Sequence, residues 1–380
     1  MSQQVRVGIV GLGIGKFHVQ GWSALYDQGV TIAALCDTDE KKLRAFADQV
    51  EKEHGYRPEL YKSYQEMFDT AHLDAVSICV PNFLHRPTAE AAFAAGCHVL
   101  LEKPMANTLE NAQAILVAQK AAGTVGMGGL NNNYTPRWRL IKQMIEDGAL
   151  GRIQRIRGWW TRRTGVPFCG MWFTQKQRSG GGPVIDLMPH ILGCQLGWLD
   201  WPNLTYAWAQ TTRLGGGNPA RGPYADGLFD PDGLNDVEHA CSVRYGTEIG
   251  VIIDVDVAWG QHTDRERMGF EIIGDIGTAA IERIWPTNDG DDTKAIDSLG
   301  VHTAVEIGDR WVNLDYTVDP DSNPTLADPF MGRTRTQAEL LACIRDRSRV
   351  PHTGLDRLLA VQVGIDVAYA SAEDGVPLHV

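Results

Sequence analysis

An aspartate and a histidine four residues apart follow three consecutive glycines in Gly180-Gly181-Gly182-Pro183-Val184-Ile185-Asp186-Leu187-Met188-Pro189-His190. On a helix that spacing projects Asp186 and His190 from one face. Imidazole titrates near neutral pH and suits proton transfer with a hydroxyl; a carboxylate beside it holds the substrate or orients the ring. Lys103 precedes a proline in Glu102-Lys103-Pro104. The proline disfavours helical dihedrals for the lysine and keeps it extended at a strand end. An ammonium placed there stabilises a developing alkoxide. Taken singly, a lysine–proline pair reads as a turn and an aspartate–histidine pair as a surface pair. Together they are what oxidation of a secondary alcohol needs, provided a hydride acceptor is at hand.

The acceptor is indicated by Gly11-Leu12-Gly13-Ile14-Gly15-Lys16, where an apolar strand turns into a helix. Glycines permit the sharp turn and let a pyrophosphate approach the backbone, facing the helix N-terminus. The spacing G-x-G-x-G is one residue shorter than the usual dinucleotide fingerprint. Asp37, ending the second strand, is placed to accept from the adenosine ribose hydroxyls and to repel a 2′-phosphate, so NAD is the expected cofactor. The bland alternative is that Asp37 caps the next helix, with Thr38 and Asp39 as rival caps.

These groups need rigid elements to hold them. The first 128 residues alternate short apolar strands (5–10, 31–36, 74–80, 98–101, 125–128) with helical patterns (16–26, 39–52, 86–95, 109–121). That alternation predicts an α/β fold, a doubly wound parallel Rossmann sheet covered on both faces. After a helix at 136–147, alternating segments at 152–161, 203–213, 237–245, 248–259, 269–273 and 278–284 predict an α+β domain with a mostly antiparallel or mixed sheet. Stretches 214–235 and 287–298 read as loops, the first long enough for a lid or an intersubunit arm. Helices at 334–346 and 354–371 close the chain. The expected domains are 1–128, binding the dinucleotide, and 129–380, binding substrate and forming oligomer contacts.

Composition narrows the classes. A formal charge of −12 over 380 residues opposes a nucleic-acid partner. No apolar run reaches the ~18 residues of a membrane span. No basic-then-apolar leader stands at the start, so a cytoplasmic location is expected. Seven cysteines (36, 79, 97, 169, 194, 241, 343) without a C-x-x-C pair predict buried reduced thiols and no metal site.

One further segment, Val80-Pro81-Asn82-Phe83-Leu84-His85, ends a strand and begins a helix. In order along the chain come the glycine turn, P-N-x-x-H, Ala95-Gly96-Cys97-His98-Val99 running into E-K-P, the triple glycine and D-x-x-x-H. That ordered set resembles the Gfo/Idh/MocA family, the glucose–fructose oxidoreductase and inositol dehydrogenase group. The resemblance implies an open, mostly antiparallel sheet in the second domain and catalytic roles for Lys103, Asp186 and His190. It implies cofactor contacts from Gly11, Gly13, Ile14, Gly15, Asp37, Pro81, Asn82, His85, Glu102 and Lys103. A homo-oligomer, dimer or tetramer, is expected with a small-molecule substrate. The chain departs from the pattern at Met188, where glycine is frequent, at Gly193, where aspartate is frequent, and near Asn133, where many members carry arginine.

For the substrate, Arg155, Arg157 and Trp159 alternate on one strand face, read as a solvated face ahead of an anion site. Trp159, Trp160 and Trp172 offer indoles on which a sugar's C–H face stacks. Asn133, Trp160, Arg163 and Trp172 are the candidate substrate residues, with Asn131, Tyr134 and His239 behind them. The expected function is NAD-dependent oxidation of a secondary hydroxyl of a sugar, sugar derivative or cyclitol. Redox-neutral glycoside cleavage on a retained NAD and a non-catalytic sugar/NAD sensor are the alternatives; retention of Lys103, Asp186 and His190 opposes the sensor.

Overall fold

A computed structural model describes residues 4–162, 166–213, 230, 232–261, 263–285, 296–307, 310–318 and 332–380. The chain forms two compact units, Met1–Tyr134 with Pro329–Gln362, and Thr135–Asp328 with Val363–Val380.

In the first unit β1 (Val5–Val10), β2 (Val30–Cys36), β3 (Glu59–Tyr61), β4 (Ala75–Ile78), β5 (His98–Leu101) and β6 (Gly126–Gly128) make a parallel sheet ordered β3-β2-β1-β4-β5-β6. Val5, Val7, Ile9, Ala75, Val76 and Ile78 are almost wholly buried, which is why these strands read as short, mostly apolar runs. The strand order reverses between β1 and β4, so the carboxyl ends there open the crevice in which such sheets bind ligands. Local signals set the helix ends. Asp39 caps Glu40–His54 by accepting from the Lys41 and Lys42 amides, and Gly55 closes that helix with a left-handed φ of 75°.

The sequence pattern lacks β3 and the helix Tyr64–Thr70. Two of the three β3 residues are exposed on this edge strand, so no apolar run announces it. Helix Arg333–Arg345 belongs to this unit. Gln337 Nε2 donates to the His18 carbonyl at 3.1 Å, and Gly21 makes the room: a Cβ there would sit 1.7 Å from Gln337 Oε1.

The second unit holds β7 (Ile153–Thr161), β8 (Leu204–Thr212), β9 (Ala240–Thr247), β10 (Ile252–Ala258), β11 (Glu266–Gly274), β12 (Gly277–Trp285), β13 (Ile296–Ile307), β14 (Arg310–Val318) and β15 (Leu378–His379). Their order is β14-β13-β12-β11-β7-β10-β9-β8-β15; β7 and β10 pair parallel and the other neighbours antiparallel. β13 begins inside the stretch expected as a loop at 287–298. From Leu299 on its sequence does alternate, Leu299, Val301, Val305 and Ile307 against Gly300, His302 and Glu306, a strand period that the expected elements left out. The expected loop at 214–235 lies mostly outside the described residues.

Helix Met188–Trp198 packs on this sheet with almost every side chain buried. It comes close at Gly158, where a Cβ would lie 2.5 Å from Ile191 Cγ2. Burying Ile191, Leu192 and Leu196 contributes roughly 1.5–3 kcal/mol each. Trp138 Nε1 donates to the Cys194 carbonyl at 3.2 Å and Trp198 Nε1 to the Trp138 carbonyl at 3.0 Å, so both indoles are satisfied in the core. On the other face Asp254 takes Arg155 at 2.5 Å and Arg244 at 2.7 Å, while Arg157 meets Glu271 at 2.7 Å. Two of the arginines considered for anion binding are therefore neutralised across strands.

All seven cysteines are buried and unbridged. No described helix is long and apolar enough to cross a membrane, and among the described residues no group of three or more His, Cys, Asp or Glu side chains is placed to hold a metal.

Candidate functional site

The glycine turn leaves β1 at Gly11, whose φ is 87° and whose Cβ would lie 2.5 Å from the Cys79 carbonyl oxygen. Only glycine fits there. Gly15 is buried and opens helix Gly15–Ser23. Gly13 differs: a Cβ would meet no protein atom within 4 Å, so its bareness serves no packing need of the protein. Ile14 is the N-cap residue and is 41% exposed. No side chain caps this helix and its first turn carries no acidic residue, which leaves its amides and its positive dipole end to an anion. These features fit a dinucleotide pyrophosphate despite the shortened spacing.

Asp37 Oδ2 accepts from the Leu12 amide at 2.6 Å and Oδ1 from the Asp39 amide at 2.8 Å. The carboxylate thus braces the turn, and each oxygen keeps a lone pair for a ribose hydroxyl. The following helix is capped by Asp39, so the capping alternative for Asp37 is set aside.

The Lys103–Pro104 peptide bond is cis. Glu102 beside it is buried. Its Oε1 lies 2.8 Å from His18 Nε2, and its Oε2 accepts from the Lys103 amide at 3.1 Å. Burial pushes the Glu102 carboxyl up, but the hydrogen bond and charge of His18, with Arg333 and Lys103, outweigh it and hold the group at about 2. His85, fully buried, spans the two motif segments: Nδ1 is 2.9 Å from the Pro104 carbonyl oxygen and Nε2 is 2.9 Å from that of Val80. Burial lowers its pKa, against the carbonyl contacts that raise it. Pro81 leads into the short turn Asn82–Leu84, in which Asn82 is buried. Asn131, Asn133 and Tyr134 are buried in the turn after β6.

In the second unit Asp186 ends the short helix Pro183–Asp186 and His190 lies in Met188–Trp198. The single helix expected from the spacing is therefore two pieces, with Leu187 between them at φ −95°, ψ −37°. Pro189 sits in the first turn of the second piece, where its missing amide removes no helical bond. Asp186 is buried, and Trp259 Nε1 donates to its Oδ2 at 3.3 Å. Phe173 stacks on Trp259 at 5.4 Å and meets Trp172 edge-on at 5.1 Å. Trp160 lies 5.5 Å from the His190 ring and stacks on Trp285 at 6.3 Å. Met188 is fully buried, its sulfur 3.3 Å from Tyr245 Oη, so this departure from the pattern fills core. His239 is paired with Asn235 Nδ2 at 3.4 Å. Arg163 lies outside the described residues.

The glycine turn, Asp37, Asn82, His85, Glu102, Lys103 and Asn133 thus belong to the first unit; Trp160, Trp172, Asp186 and His190 belong to the second. Sequence reasoning missed His18, Trp259 and Trp285. Each meets its partner across a long stretch of chain, 84 residues for His18 and 73 for Trp259, and no local pattern marks them.

Comparison with known proteins adds the following. Residues 5–129 match the sequence model described as "Oxidoreductase family, NAD-binding Rossmann fold", and residues 138–280 match "GFO/IDH/MocA C-terminal domain". The chain is similar to D-glucoside 3-dehydrogenase of Escherichia coli (strain K12), 30% identical over 203 residues, which are 53% of this chain and 56% of that one. It is 28% identical over 291 residues, 73% of each chain, to levoglucosan dehydrogenase of Pseudarthrobacter phenanthrenivorans. The solved structure of a levoglucosan dehydrogenase in complex with NADH and levoglucosan matches over 100% of both chains, with a TM-score of 0.80 at 22% identity, a likeness of fold.

Proposed function

The chain belongs to the Gfo/Idh/MocA family of NAD-binding oxidoreductases, and from that premise we propose that it oxidises a secondary hydroxyl of a sugar, sugar derivative or cyclitol. When bound, NAD would supply the hydride acceptor for the carbinol carbon. Gly11, Gly13, Ile14 and Gly15 receive its pyrophosphate, and Asp37 its adenosine ribose. Pro81, Asn82, His85 and Glu102 line the nicotinamide side.

His190 takes the hydroxyl proton, Lys103 donates to the alkoxide as it develops, and Asp186 holds the substrate or the imidazole. The observation that carries this reading is a histidine set against an indole in the second unit; in the first unit Lys103 stands in a braced turn. Glu102 and His85 fix the turn around Lys103, and Trp160 stands 5.5 Å from His190. An indole beside the base favours a ring with apolar C–H faces. We therefore take the substrate as a neutral polyhydroxylated ring, free or as a small glycoside, with Trp160, Trp172 and Asn133 as its contacts. The relatives named above for a glucoside and for levoglucosan support the class. A homo-oligomer, dimer or tetramer, goes with this reading.

The test is a panel of neutral sugars, cyclitols, sugar phosphates and uronates with NAD, followed at the nicotinamide absorbance. NADH accumulation with neutral rings is expected. Turnover confined to anionic sugars, and lost in Arg163→Ala, overturns the neutral-ring assignment.

A further inference from the structure

We propose that Glu238 is a positioning residue for the Asp186 segment, its buried carboxylate clamping the triple-glycine turn together with Tyr369. The proposal rests on the dehydrogenase reading for its catalytic consequence and on geometry alone for the clamp.

Glu238 is 8% exposed. Its Oε1 accepts from the Gly182 amide at 3.0 Å, the Val184 amide at 3.0 Å and Tyr369 Oη at 2.8 Å; Oε2 is 3.1 Å from the Gly182 amide. The amides at the start of helix Pro183–Asp186 need acceptors, and Pro183 supplies no donor. Gly182, the N-cap residue, has no side chain to offer. The cap comes instead from a residue 56 positions away.

The glycines are the footprint of this clamp. A Cβ on Gly182 would lie 2.1 Å from the Glu238 carbonyl oxygen, and one on Gly181 1.8 Å from Tyr369 Oη. Gly180, at φ 92°, ends the preceding helix in the left-handed region. The motif Gly180-Gly181-Gly182 therefore answers to the approach of Glu238 and Tyr369 and requires no ligand to explain it.

The clamp reaches Asp186 by two routes. Along the backbone, the Ile185 and Asp186 amides both donate to the Gly182 carbonyl, at 3.1 and 3.0 Å, so a shift of Gly182 carries to Asp186. Through side chains, the Trp259 amide donates to the carbonyl of His239 at 2.8 Å, and the indole of Trp259 holds Asp186 Oδ2. Residues 238 and 239 thus anchor both the main chain and the side-chain partner of Asp186. Burial raises the Glu238 pKa against the phenol and backbone amides that lower it.

The experiment compares wild type with Glu238→Ala, Glu238→Gln and Tyr369→Phe, using the substrate found by the panel, NAD affinity by fluorescence titration, and amide hydrogen exchange over residues 182–190. Misplacing a reacting group by about 1 Å costs up to ~100-fold in rate. We expect kcat to fall about 100-fold in Glu238→Ala and about tenfold in Glu238→Gln, which keeps one acceptor oxygen. NAD affinity should stay within about twofold, with faster exchange at Gly182 and Val184 in both variants. Tyr369→Phe should fall between wild type and Glu238→Gln. A purely structural residue would lower the melting temperature yet leave kcat of the folded fraction unchanged. Wild-type kcat and unchanged exchange in folded Glu238→Gln and Tyr369→Phe overturn the clamp, even if Glu238→Ala does not fold. If wild type turns over none of the panel, the dehydrogenase reading fails, and exchange at 182–190 still decides the clamp.

Discussion

Two buried carboxylates, one in each unit, brace the two turns that carry the proposed catalytic groups, and their acidities move in opposite directions. Glu102 faces His18 and is near Arg333 and Lys103, so it is held at about 2 although it is buried. Glu238 receives only a phenol and backbone amides, so burial prevails and its pKa rises. Full charges offset the loss of hydration; neutral dipoles do so only in part. The turns also differ in where their braces originate. Lys103 is held largely from within the motifs, by Glu102 next to it and by His85, 19 residues from Pro104. The Asp186 turn is held by Glu238, Tyr369 and Trp259, which lie outside every motif. A parallel sheet brings successive strand ends to one rim, so neighbouring motif segments meet by topology. A helical turn packed on an antiparallel sheet takes its partners from distant strands.

The comparison breaks most visibly at the proposed catalytic groups. His190→Ala should lower kcat by about 10²–10⁴, with Lys103→Ala comparable, and NAD affinity unchanged in both. Near-normal turnover in His190→Ala rejects its role as base.

Two glycine substitutions come next and should separate the turns. Gly182→Ala drives a Cβ against the backbone of Glu238; a loss of roughly 1–3 kcal/mol in chemical denaturation is expected, with activity reduced alongside. Gly13→Ala meets no protein atom; stability should stay within ~0.5 kcal/mol while the Kd for NAD rises at least about tenfold. Unchanged NAD affinity in Gly13→Ala removes the glycine turn from the pyrophosphate site.

Cofactor choice is a smaller effect. NAD should bind at least about tenfold tighter than NADP, ~1.4 kcal/mol, through Asp37. Equal affinities sink that assignment.

The pH dependence of stability is the finest test. For Glu102 the folded value of about 2 lies below the unfolded 4.5, so its contribution is present above pH 4.5 and is lost as pH falls toward 2. His98 is depressed to about 4, first by burial and then by Arg347, and its Nδ1 accepts from the Val125 amide at 2.9 Å. Its neutral form is the folded one, so roughly 1 kcal/mol is lost as pH falls from 6.5 toward 4. Glu238 has the opposite sign: its folded pKa is raised, so stability declines as pH rises above 4.5. Urea midpoints across pH for Glu102→Gln, His98→Gln and Glu238→Gln should flatten these three windows separately. A Glu238→Gln curve parallel to wild type contradicts the contrast between the carboxylates.

Much of the first unit was legible because a strand buried on both faces is written as a short apolar run and each helix end as a cap residue or a glycine. The site residues there were legible for a related reason: Gly11, Asp37, Glu102 and Lys103 stand at strand ends, and strand ends can be counted. The second unit was less so. Its sheet was expected, but β13 and β14 were left out although Leu299–Ile307 and Val312–Val318 alternate in sequence, and the helix expected to join Asp186 to His190 is broken at Leu187. For the substrate side, Trp160 could be singled out as an indole, yet nothing local places it against His190.

By itself the sequence determined the order of elements around the glycine turn, the identity of the family through five ordered motifs, and the residue types available for proton and hydride transfer. These are properties of dihedral preference, burial periodicity and side-chain chemistry, all carried over a few residues. Only the tertiary structure decided that Glu238 and Tyr369 cap the triple glycine, that His18 pairs with Glu102, and that Pro329–Gln362 returns to the first unit. Such pairings close long stretches of chain. Their partners are chosen by which buried amide, carboxylate or ring is left to be satisfied once the sheets have formed, and no local spacing encodes that choice.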